Sequence, residues 1–148
     1  MKPIIDVSNI GQSIEVFSID TMESVAEFRD MTVHLSSLHS MVKAPYLDIS
    51  PMFICGKKFW SVTAGGSTQA KRGRISAIDK DGNPLRYGSI IVIGYEKNDK
   101  GVGRMRSLTK DEKALIMDNL GIIGANEGGA MYDTYCLYTV TDKPSATD

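Results

Sequence analysis

Residues 20–43, DTMESVAEFRDMTVHLSSLHSMVK, decide how the whole chain is read. Asp20 stands where an N-cap would, and Glu23 follows three residues later, the spacing at which a cap and its reciprocal partner satisfy the first helical amides. Val25, Phe28, Met31 or Thr32, Leu35, Leu38 and Val42 then recur every three or four residues, which is one face of a helix. The spacing predicts a helix over Thr21–Lys43, packed through Val25, Phe28, Leu35 and Leu38. Ala44-Pro45 ends it, because the residue before proline is pushed out of the helical region.

Either side of this segment the pattern is that of strands. Residues 4–7 and 13–19 read as strands about the turn near Asn9 and Gly11. Residues 52–55 and 59–63 flank Gly56-Lys57-Lys58 as a hairpin. Residues 74–78 and 89–95 flank Asp79-Lys80-Asp81-Gly82-Asn83-Pro84, a run of turn formers. Residues 64–73 lack periodicity and read as an exposed basic loop, and 97–106 as a second polar stretch. Thr109 and Glu112 form a T-x-x-E capping box for a short helix with Leu115, Ile116 and Leu120 on its apolar side, closed by Gly121. A last strand is expected over 132–140. The order ββ-α-ββ-ββ-α-β predicts an α+β fold: one domain over residues 1–141, a mostly antiparallel sheet, one long N-terminal helix, one short C-terminal helix, and a flexible tail over 142–148.

With 148 residues, 42% of them hydrophobic, the chain can bury the core of one domain. No basic segment followed by an apolar run marks a secretory signal, and the longest apolar run, Ile90 to Ile93, is strand-sized, so neither export nor a membrane partner is expected. Cys55 and Cys136 belong to no CxxC or Cys/His cluster; they read as buried free thiols in a reducing cytoplasm, with no metal or other cofactor.

Charge is the chain's strongest bias. Of its seventeen Lys and Arg residues, thirteen fall in 57–113, where six carboxylates leave a net +7, while 1–56 and 114–148 each carry −4. Such a stripe favours phosphates or acidic protein surfaces. Lys71, Arg72 and Arg74 in a glycine-containing loop, with Lys57 and Lys58 on the neighbouring hairpin, are the leading anion contacts. Arg86, Arg104 and Arg106 extend the stripe. Phe59, Trp60 and Tyr87 lie among these cations and would offer a platform for stacking unpaired bases, because adjacent Phe59 and Trp60 point to opposite faces of a strand.

Catalytic signatures are thin. Gly101-Val102-Gly103-Arg104 begins like a dinucleotide fingerprint but lacks its third glycine and its βαβ setting. His34 and His39 are five residues apart, which does not suit one metal on a helix face. Ser40-Met41-Val42-Lys43 has the serine–lysine spacing without its companion motifs, and Asp111-Glu112-Lys113 lies in a helix rather than a strand. The reading is therefore a non-catalytic nucleic-acid-binding protein, with RNA or single-stranded DNA favoured, that tracks the backbone with cations and stacks bases on aromatics. Alternatives are an interaction module or inhibitor that docks on an acidic protein partner, and a binder of a small phosphorylated ligand.

Overall fold

The computed structural model describes residues 5–65, 74–127 and 130–144. Asp20 does cap, but it caps a hairpin turn. Its Oδ1 accepts from the amides of Met22 and Glu23 at 3.0 and 3.1 Å, and Ser24 takes a left-handed φ of 56°, which turns the chain back on itself. Strand β1 (Ser13–Asp20) therefore pairs antiparallel with β2 (Val25–Thr32), with Asp20 opposite Val25.

The long helix expected over 21–43 is corrected to this strand followed by a short helix, α1 (Leu35–Val42). The three-residue spacing that suggested one helical face has another physical origin. Phe28 packs on the core on one side of the sheet and Met31 on the core of the other, which a strand achieves at any odd spacing. Helix α1 keeps only Leu38 and Val42 buried; Leu35 is 60% exposed. His34 caps α1, its Nδ1 accepting from the Ser36 amide at 3.1 Å, and His39 Nδ1 donates to the Ala44 carbonyl at 2.9 Å.

Strands β3 (Leu47–Ile54) and β4 (Lys57–Ala64) form the expected hairpin. β5 (Ile75–Ile78) and β6 (Pro84–Tyr87) close around Asp79, whose Oδ1 accepts from the amides of Asp81 and Asn83. β7 (Ile90–Lys97) turns back on β8 (Gly103–Arg106), within the stretch expected to be loop. Helix α2 (Lys110–Asp118) carries the expected capping box, but Asn119 rather than Gly121 ends it, and Gly121 lies inside β9 (Leu120–Glu127). β10 (Ala130–Leu137) and β11 (Val140–Thr141) complete the described chain.

The first sheet runs β11–β3–β4–β7–β1–β2, with β8 beside the outer part of β7; the second runs β6–β5–β10–β9. The second sheet and α2 cover one face of the first, over Phe17, Ile19, Met52, Ile54, Phe59, Ile90, Val92 and Ile116. Helix α1 lies on the other face, over Val16, Leu38, Val42, Trp60, Val62, Ile91 and Ile93. Two buried faces explain why Ile90–Ile93 is apolar without alternation. The fold is thus β-rich with two short helices among the described residues, and the expectation of an α+β domain built on a long helix is overturned. No helix is long and apolar enough to cross a membrane among the described residues.

Candidate anion-binding cleft

Covering both faces of the first sheet buries two of the three expected stacking residues, Phe59 and Trp60. Phe59 is buried against the second sheet, and Trp60 on the opposite face, its ring 5.0 Å from that of Tyr95. Lys58 lays its ammonium 4.2 Å above the Tyr95 ring, so that cation is held over an aromatic face. Gly103 of the Gly101-Val102-Gly103 run serves this packing: a Cβ there would stand 2.7 Å from the Trp60 and Tyr95 rings. Of the three proposed stackers, only Tyr87 keeps accessible surface, being half-buried on β6.

Folding also brings carboxylates of the acidic flanks onto part of the basic stretch. Arg104 meets Glu96 at 2.9 Å and Asp6 at 4.0 Å. Lys113 meets Glu15 at 2.7 Å, and Lys43 meets Asp20 at 2.8 Å, which also takes Lys43 out of any serine–lysine pair with Ser40. Arg106 forks onto Glu112 at 2.6 and 2.9 Å, crossing Gly94, where a Cβ would meet its Nη1 at 2.5 Å. Glu112 is the most deeply held of these carboxylates, its side chain 3% exposed. Burial alone would raise its pKa. The Arg106 fork, the Thr109 amide and Lys57, 3.6 Å away, outweigh burial and hold it at about 2. This knot fixes the start of α2 against β8 and β4. Lys57, Arg104 and Arg106 are thus partnered within the protein. Lys71 and Arg72 lie outside the described residues. Arg74 donates to the Thr21 carbonyl at 2.7 Å, which ties the start of β5 to the β1–β2 turn.

Arg86 is different in kind. It stands on β6, its side chain only 10% exposed, and reaches across to the first sheet. Its Nε donates to Ser61 Oγ at 3.2 Å, and its Nη2 reaches the Pro51 carbonyl at 3.3 Å and Ser50 Oγ at 3.5 Å. Nη1 donates to its own neighbour's carbonyl, Leu85, at 2.9 Å and to Asp142 Oδ1 at 2.6 Å. The guanidinium is therefore clamped by neutral groups of the sheets, and its carboxylate comes from the segment after β11. Asp48, Ser50, Thr63, Tyr87 and Asp142 are among the residues lining a cleft of about 370 Å³ around it. Such a volume suits a small ligand.

Among the sequence-predicted residues, the structure brings Arg86 and Tyr87 together in this cleft. Lys57 and Arg106 share the Glu112 knot, while Arg74 and Arg104 stand in separate contacts. Sequence reasoning missed Ser50, Ser61, Thr63 and Asp142. A usable signal was present in β4: Phe59, Ser61 and Thr63 share one strand face, and both hydroxyl residues are buried there. Two buried hydroxyls on a covered face require partners, and Arg86 is the partner of Ser61. Among the described residues, no three His, Cys, Asp or Glu side chains gather as a metal site. Comparison with known proteins gave no match to a family model, a curated protein or a solved structure.

Proposed function

We propose that the chain is a non-catalytic binding protein whose small ligand presents a phosphate or carboxylate to Arg86. The observation that carries this reading is the clamped guanidinium among the residues lining a cleft, with an oxyanion already seated on it at 2.6 Å. A guanidinium held in place by neutral acceptors loses little freedom when an anion docks, and the Nη1 donor given to Asp142 is the one a ligand oxyanion would take over. Tyr87 at the cleft wall offers a ring edge or hydroxyl to the rest of the ligand. A small phosphorylated ligand is favoured over a nucleic-acid strand because the buried Phe59 and Trp60 supply no stacking surface and the cleft around Arg86 has a volume of about 370 Å³. The free thiols of Cys55 and Cys136 suit a cytoplasmic setting.

Thermal-shift and calorimetric titrations with inorganic phosphate, mononucleotides and small dicarboxylates test the reading. At least one should raise the melting temperature of the native chain and fail to do so for Arg86→Gln, since a ligand that binds only the folded state stabilises it by mass action. Binding undiminished in Arg86→Gln, or no binding across the panel, would sink it. Salt-sensitive binding of single-stranded oligonucleotides by the native chain and by Arg86→Gln alike would restore the nucleic-acid reading.

A further inference from the structure

Strand β2 ends the first sheet, and its outer edge has no backbone partner among the described residues. Which residues aim outward follows from the ladder. Val33 donates its amide to Gln12 and accepts from Gly11, so its backbone groups face the β1 side. Counting back with a period of two, the odd residues of β2 bond to β1, while Ala26, Phe28, Asp30 and Thr32 turn N–H and C=O outward. The opposite edge of β1 agrees: Glu15 bonds there to Ser107 and Leu108.

We propose that this edge pairs antiparallel with β2 of a second copy of the chain, about a two-fold axis at Phe28. An antiparallel partner must place outward residue against outward residue, so only even registers are allowed. Centring on Glu27 or Arg29 sets a like charge against itself. Centring on Phe28 sets Glu27 of each copy against Arg29 of the other, twice by symmetry, with Ala26 opposite Asp30 and Val25 opposite Met31. Glu27 and Arg29 are half exposed, 52% and 47%, and their mutual distance within one chain is a loose 3.9 Å, so both remain available across the edge. The strand thus carries a self-complementary charge pattern in one allowed register, which identifies the partner as another copy of this chain. The pairing would join two first sheets into one continuous sheet.

Sedimentation velocity over a concentration series, with reductant present to exclude Cys55 coupling, tests this. The native chain should dimerise reversibly. Glu27→Arg and Arg29→Glu should each weaken dimerisation about tenfold, since each turns two attractive pairs into two repulsive ones. The double variant Glu27→Arg/Arg29→Glu should restore it to within about threefold, because the swap recreates both pairs. Circular dichroism of all three variants checks that they fold. A native chain that stays monomeric at millimolar concentration, or a double variant no better than the singles, would overturn the proposal.

Discussion

The Arg86 guanidinium and the Asp142 carboxylate meet at 2.6 Å, joining the second sheet to the segment that follows the last strand of the first. Asp142 is 51% exposed, whereas Arg86 is 10% exposed, so the carboxylate sits at the cleft mouth and is the more easily displaced partner.

Asp142 is therefore an internal competitor for any oxyanion that seeks Arg86. Asp142→Asn should tighten binding of the ligand found by titration, by about two- to fivefold in Kd, the scale of one exposed ion pair. Equal or weaker binding in this variant would show that the two carboxyl groups do not contend for the same site. Calorimetry on the native and variant chains reads the difference directly.

The Glu112 knot gives the fold an acid limit. A carboxyl held at about 2, against an ordinary 4.5, stabilises the folded chain while it is ionised. That stabilisation is complete above the unfolded value and is lost as pH falls through the folded one, between about 4.5 and 2. Acid unfolding followed by circular dichroism should show this limb. Glu112→Gln should flatten it and, by leaving Arg106 without its carboxylate, destabilise the neutral protein by about 3–5 kcal/mol.

Helix α1 should respond unequally along its length. Leu38→Ala removes a buried side chain and should cost roughly 2–5 kcal/mol in urea unfolding. Leu35→Ala, at a 60% exposed position, should stay within about 0.5 kcal/mol. The long helix expected from sequence would require the Leu35 change to cost as much as Leu38.

The two cysteines should separate by reactivity. Cys55 is exposed, which corrects the expectation that both thiols are buried; Cys136 is fully buried, and burial pushes its thiol up to about 11. Alkylation of the folded chain at neutral pH, followed by mass spectrometry, should add one label, at Cys55. Two labels without denaturant would mean that β10 opens readily.

What could be read directly from the sequence was local. The Asp79–Asn83 turn and the Thr109–Glu112 capping box are each made by residues two to four apart, and both stand where their residue types place them. The Asp20 cap was also legible, but its two hydrogen bonds are common to a helix start and a tight turn, and Ser24, an ordinary serine in sequence, decided between them through its backbone. The candidate cleft was legible only as a charge. Arg86 acquires its meaning from Ser50, Ser61 and Asp142, brought together by the packing of one sheet on the other, and no spacing in the chain announces that meeting. Charge counting along the chain likewise does not show that Asp6, Glu15 and Asp142 from the acidic flanks fold onto the basic centre.

The placement of β11 sets an order in time. Val140 is fully buried and pairs with Ile54, so the first sheet gains its outermost strand from residues synthesised long after β3 and β4. During synthesis, the hairpin of β3 and β4 must wait with one edge bare until that late segment leaves the ribosome. Central β7 likewise closes wide loops when Val92 pairs with Phe17. Such distant closures slow folding, and the waiting edge is where a nascent chain of this architecture is most exposed to pairing with a neighbour.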